Sequence, residues 1–95
     1  MKVYVRYLGF IRSLLGTERE EILFNDGSTI RDLLNMIANK YGEKFQKEVY
    51  EPGMDDLRMG FILTVNGILM GQLNGVNTLL KEGDEVLLMT LASGG

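Results

Sequence analysis

Apolar and polar positions alternate from the first residues. Val3, Val5 and Tyr7 fall on one face and Lys2, Tyr4, Arg6 and Leu8 on the other, the period of a half-buried strand. Gly9 breaks that pattern. Phe10, Ile11, Leu14 and Leu15 then recur at helical spacing, and Gly16 stops the short turn. Glu20 to Phe24 predicts a second strand, ending at Asn25-Asp26-Gly27. Beyond it Ile30, Leu33, Leu34, Ile37, Ala38 and Tyr41 follow the i, i+3, i+4, i+7 rhythm of an amphipathic helix. Ser28 or Thr29 can cap it, because either hydroxyl satisfies an orphan backbone N–H. Asp32 in its first turn and Lys40 in its last complement the helix dipole, and Gly42 is placed as a left-handed C-cap.

Residues 43–59 have no clear period. They carry Pro52-Gly53 and the polar tip Met54-Asp55-Asp56, which predicts a surface insertion with a short helical turn over Phe45–Val49. Phe61 to Val65 predicts a third strand, and Asn66-Gly67 a tight hairpin returning through Ile68-Leu69-Met70. After a turn-rich stretch from Gly71 to Asn77 and a turn at Lys81-Glu82-Gly83-Asp84, Val86 to Leu91 is apolar at nearly every position. A strand of that kind belongs in the middle of a sheet. A right-handed crossover lets it lie parallel to the first strand. The economical arrangement is α+β, a mixed sheet of roughly four to five strands packed on one main helix.

Composition narrows the chemistry. With 95 residues, 45% hydrophobic and 24% charged, the chain holds one core and no large cofactor cavity. The net charge is −3 and the basic residues are scattered, which argues against nucleic-acid binding. There is no cysteine and no histidine, so disulfides, zinc sites, thiolate catalysis, histidine bases and cysteine-held iron–sulfur clusters are excluded. No apolar run reaches membrane-span length, and the chain opens on a strand pattern rather than a signal peptide. A soluble, cytoplasmic protein with no metal, no bound cofactor and no catalytic apparatus of its own is expected.

Three motifs carry a resemblance. Arg12-Ser13-Leu14-Leu15-Gly16-Thr17 follows the first strand, and Asp26-Gly27-Ser28-Thr29-Ile30-Arg31-Asp32-Leu33-Leu34 enters the long helix. Leu79-Leu80-Lys81-Glu82-Gly83-Asp84-Glu85-Val86 precedes the last strand and Ser93-Gly94-Gly95. In this order they resemble the MoaD-like and ThiS-like ubiquitin-related sulfur carriers. That family includes molybdopterin-synthase small subunits, the thiamin sulfur carrier, the eukaryotic ubiquitin-related modifier and the small archaeal modifiers. The extra segment at 43–59 and Leu73-Asn74-Gly75-Val76-Asn77-Thr78-Leu79 look most like the archaeal type. One departure stands out: the family usually has a proline pair before its Gly-Gly, where this chain has Met89-Thr90-Leu91-Ala92.

The resemblance implies a β-grasp (ubiquitin-like) domain over 1–91 and a flexible Gly-Gly tail over 92–95. It also implies activation of the Gly95 carboxylate by a separate adenylyltransferase related to ubiquitin-activating enzyme, which uses ATP. The product would be a thiocarboxylate that donates sulfur, with the molybdopterin synthase large subunit as a further partner. Gly94 would give access to a narrow channel, since glycine lacks a Cβ. Thr90 to Gly95, extended at about 3.3–3.6 Å per residue, would span roughly 20 Å. Conjugation to protein lysines through Gly95, sulfur supply for tRNA thiolation, and a non-covalent adaptor with an incidental tail are the alternatives. Leu91, Ala92 and Ser93 would hydrogen-bond along that channel. The outward positions Leu87, Met89 and Leu91, beside Tyr4 and Leu8, either form an apolar patch for a partner or are covered by the 43–59 segment.

Overall fold

The structure, a computed structural model, describes residues 1–91. Its elements in chain order are β1 (Lys2–Tyr7), α1 (Phe10–Leu15), β2 (Arg19–Leu23), α2 (Ile30–Tyr41), α3 (Glu43–Glu48), β3 (Phe61–Val65), β4 (Ile68–Leu69) and β5 (Glu85–Thr90). The five strands make one mixed sheet in the order β2-β1-β5-β3-β4. β1 and β5 are parallel and central, in the register Val5↔Val86 and Tyr7↔Leu88; β1–β2 and β3–β5 are antiparallel. This is the β-grasp, with the helices on one side of the sheet. Among the described residues, no helix is long and apolar enough to cross a membrane.

Alternation decides which face the helices cover. Val3, Val5, Tyr7, Leu63, Val65, Val86 and Leu88 all point inward and are at most 6% exposed. Against them α2 lays Ile30, Leu33, Leu34, Ile37 and Ala38, each buried. Thr29, not Ser28, is the N-cap: its hydroxyl accepts from the Asp32 N–H, and the Asp32 carboxylate accepts from the Thr29 N–H at 2.8 Å. That reciprocal box satisfies two donors that the first turn leaves orphaned. Gly16 ends α1 in the left-handed conformation as expected. Gly42 does not end α2 that way. Its φ is 72° but its ψ is −149°, because the same residue must turn the chain directly into α3.

The 43–59 segment is not a surface insertion. Phe45, Val49 and Tyr50 are fully buried and Leu57 nearly so, completing the core from α3, which packs against α2 and α1. The loop is then tied down through polar groups. Arg58 donates from Nε and Nη2 to the Gln46 carbonyl at 3.0 and 2.9 Å, the Tyr50 hydroxyl donates to the Met54 carbonyl at 2.9 Å, and Arg31 reaches the Met54 carbonyl and Asp55. The charged residues of α3, the Glu51-Pro52-Gly53 turn, the Asp55-Asp56 tip and Met59 remain exposed. The predicted hairpin holds. Asn66 (φ 51°) and Gly67 (φ 84°) both take positive φ, as a type I′ turn requires.

Candidate functional site

The face of the sheet away from the helices carries the candidate site. Register sets its composition. Arg6 lies opposite Leu87, and Leu87 opposite Thr64; one step along, Met89 lies opposite Ile62. Because side chains alternate, Tyr4, Arg6, Leu87, Met89, Ile62 and Thr64 share the outer face. Leu8 continues the same side and is held to β5 by its N–H donating to the Leu88 carbonyl at 3.1 Å. Leu87, Met89, Ile62, Thr64 and Leu8 are half-buried, while Tyr4 is 40% exposed and Leu91, just past β5, is 63% exposed. The 43–59 segment does not cover them, since α3 packs on the helical layer. Coverage by residues 43–59, one of the two readings of this face, is not observed.

The patch opens into a broad concavity of about 810 Å³ lined by Tyr4, Arg6, Thr64, Glu85 and Leu87, with Arg19 and Glu21 along its β2 side. Its floor mixes Tyr4 and Leu87 with Arg6 and Thr64, and its rim carries both signs of charge, a mixed surface suited to a protein partner. At one end the floor is anchored by Asp84, the single buried charged residue of the described chain. Its carboxylate accepts from Asn66 Nδ2 at 2.9 Å and from the Lys81 N–H at 2.8 Å, while the Asn66 Oδ1 accepts from the Glu85 N–H at 3.0 Å. That bracket joins the β3–β4 turn to the start of β5. At the other end Gly9, with φ 62°, brings the chain close under β5; a Cβ there would sit 3.6 Å from Thr90 Oγ1.

A second polar cluster stands at the opposite edge. Glu20 on β2 accepts from the Tyr7 hydroxyl at 2.6 Å, from the Tyr41 hydroxyl at 2.7 Å and from the Lys40 ammonium. Burial pushes the Glu20 carboxyl upward, but the hydrogen bonds from Lys40, Tyr7 and Tyr41 outweigh it and hold the group below the usual carboxylate range. Burial first, and then the Glu20 carboxylate, push both tyrosines well above their ordinary values, so they remain neutral donors. The cluster pins the end of α2 to β2 and leaves no group poised for proton transfer.

Of the residues expected to act, Tyr4, Leu8, Leu87 and Met89 share the outer face, with Tyr4 opposite Glu85 at the start of β5 and Leu8 near its end, while Leu91 follows β5. Ala92, Ser93, Gly94 and Gly95 lie outside the described residues. Sequence reasoning put Arg6 on the outer side of the first strand but missed Ile62 and Thr64 as members of the face. The signal for these two was the alternation of Phe61, Leu63 and Val65 against them, which becomes informative once β3 is known to pair with β5.

The ThiS family model matches residues 5–95 of the chain. No curated protein matches in sequence. Among solved structures, the chain is similar to a molybdopterin converting factor subunit 1 from Pyrococcus furiosus, with 30% identity over 97% of this chain and 99% of that one, and a TM-score of 0.73. It shares the fold of SAMP1 from Haloferax volcanii (16% identity, 100% of both chains, TM-score 0.79). The same holds for Urm1 from Trypanosoma brucei (18% identity, 99% of this chain and 95% of that one, TM-score 0.78). A match over nearly the whole length, on the strand order and helix layer described above, places the chain in the ThiS family of MoaD-like, ubiquitin-related proteins.

Proposed function

We propose that the protein is a sulfur carrier whose Gly95 carboxylate is activated by a separate adenylyltransferase and converted to a thiocarboxylate, serving in the cytoplasm as the small subunit of a molybdopterin synthase. The observation that carries this reading is the placement of β5. The central strand brings Leu87 and Met89 to the outer face and ends in exposed Leu91, next to residues 92–95. A partner docked on that face would hold the tail at its own active site. The carboxylate alone is a poor electrophile. Attack of its oxygen on the α-phosphorus of ATP releases pyrophosphate and gives an acyl-adenylate; attack of hydrosulfide on the acyl carbon then expels AMP and leaves the thiocarboxylate. Every catalytic group in those steps belongs to the partner, consistent with a chain that has no histidine or cysteine. The 30% identity to the converting factor subunit supports the molybdopterin assignment. A subunit 1 and subunit 2 complex of that factor from Helicobacter pylori has the same fold in its similar chain (25% identity, TM-score 0.60), which supports a large-subunit partner.

A second reading is favoured by the similarity to proteins named small archaeal modifiers. In it the same activated carbonyl is attacked by a lysine amine, forming an isopeptide bond. Mass spectrometry of protein from its native cell separates the two. Oxygen-to-sulfur exchange at Gly95 is expected for the carrier, and Gly-Gly branches on lysines of other proteins for the modifier. Unchanged activation after deletion of Gly94 and Gly95 would overturn both.

A further inference from the structure

Four large apolar residues meet where β5 ends. Phe10, the first residue of α1, is 46% exposed, Met59 is 98% exposed and Leu91 is 63% exposed. Phe61 begins β3 and is half-buried against the margin of the core. The Phe10 and Phe61 rings stand 6.3 Å apart with their planes inclined by 43°. Backbone contacts gather them around one point. Phe61 lies opposite Thr90, and the Leu91 N–H donates to the Gly60 carbonyl at 2.6 Å. Gly9, next to Phe10, is the residue whose backbone passes close to Thr90.

Alternation places this aromatic pair on the helix side of the sheet. Phe61 shares the phase of Leu63 and Val65, whereas Ile62, Met89 and Leu8 face the other way. The end of β5 therefore has apolar surface on both sides. Single exposed apolar residues are ordinary, but a contiguous group marks an interaction site. Chain length says what covers this one. The four residues from Ala92 to Gly95, at about 3.3–3.6 Å each, reach no farther than roughly 14 Å from Leu91. A protein that takes Gly95 into a recessed site has walls on every side of the entering chain. One wall comes down over Leu8 and Met89, and the opposite wall over Phe10, Met59 and Phe61.

We propose that the enzyme activating Gly95 grips the end of β5 from both sides, seating Phe10, Phe61 and Met59 in an apolar cleft on the helix side. The assignment depends on Gly95 being the group that is activated. Contact on one face alone would leave the tail free to swing about the end of the sheet; contact on two faces fixes the direction in which it leaves. Aromatic rings suit the centre of such an interface, and the unbranched thioether of Met59 adapts to the cleft wall.

The test expresses variants of the full chain in its native cell and measures, by mass spectrometry, the fraction of Gly95 carried as thiocarboxylate or as branches on other proteins. Phe10→Ser should lower that fraction at least about tenfold. Met59→Glu should lower it too while leaving the urea midpoint unchanged, because the position is 98% exposed, so the loss does not trace to folding. Phe10→Leu should retain modification. Leu79→Ser removes a 61% exposed leucine beside Thr29, at the other end of the sheet, and should change nothing. Normal modification of both Phe10→Ser and Met59→Glu overturns the proposal; if Met89→Lys is then unmodified in the same cells, Gly95 still acts and the enzyme docks on the outer face alone. Thiocarboxylate accumulating on Phe10→Ser overturns it as well, since the occupant would then act after activation. So does a dimer that Phe10→Ser dissociates, because a second copy would be the occupant. An unmodified Gly95 in the unsubstituted chain overturns the proposed function itself, and the grip with it.

Discussion

The inner and outer faces of the sheet come from the same strands, often from adjacent residues, yet they are built to different ends. Leu88 is fully buried while its neighbours Leu87 and Met89 are half-buried; Val5 is fully buried while Tyr4 is 40% exposed. The inner face is closed by three helices and by the aromatic residues Phe45 and Tyr50, which leave almost no surface to water. The outer face keeps apolar side chains in reach of solvent and rims them with Arg6, Arg19, Glu21 and Glu85. Substitutions inside should therefore be felt as stability, and substitutions outside as partner recognition.

The largest expected effect tests where the inner face ends. Phe45→Ala removes a fully buried aromatic ring from α3 and should cost about 3–5 kcal/mol, read as a lowered urea midpoint. A cost under about 1 kcal/mol would return residues 43–59 to the status of a surface insertion.

A smaller effect is expected at the joint between the faces. Glu20→Gln replaces a carboxylate that takes three hydrogen bonds and should cost about 2 kcal/mol near neutral pH. Its folded pKa is depressed, so its contribution is fully present above the unfolded value of 4.5 and is lost as the pH falls through the lower, folded value. Urea titrations of both proteins between neutral and strongly acidic pH should thus converge at the acid end. Parallel curves would remove the carboxylate from the account.

The smallest stability effect is expected on the outer face. Met89→Lys should change stability by about 1 kcal/mol or less, because the lysine stem can lie over the sheet with its ammonium in water. Under the proposed function, activation by an adenylyltransferase, or binding of a synthase large subunit, should fall at least about tenfold. Loss of stability without loss of recognition would erase the distinction between the faces.

Much of the inner face was legible from period alone. Val3, Val5 and Tyr7, the α2 stripe from Ile30 to Ala38, and the central position of the last strand all follow from spacing, because each element is long enough to repeat its pattern. The buried part of residues 43–59 was not. Phe45 and Val49 make one i, i+4 pair, and Tyr50 and Leu57 sit among polar residues, so no period forms. The outer face was half legible. Leu87, Met89, Tyr4 and Leu8 were in view, but Ile62 and Thr64 join them only through the pairing of β3 with β5.

Local physical chemistry thus determined, without tertiary help, the strands, the long helix, its start near Thr29 and the chemistry excluded by the absence of cysteine and histidine. These depend on neighbours within a few residues, where spacing and side-chain type act directly. The tertiary structure decided which strand neighbours which, that α3 closes the core, that the outer face stays open, and that Phe10 meets Phe61 beside the end of β5. Those outcomes depend on contacts between residues far apart in the chain, such as Asn66 with Asp84 or Tyr7 with Glu20, and no local pattern records them.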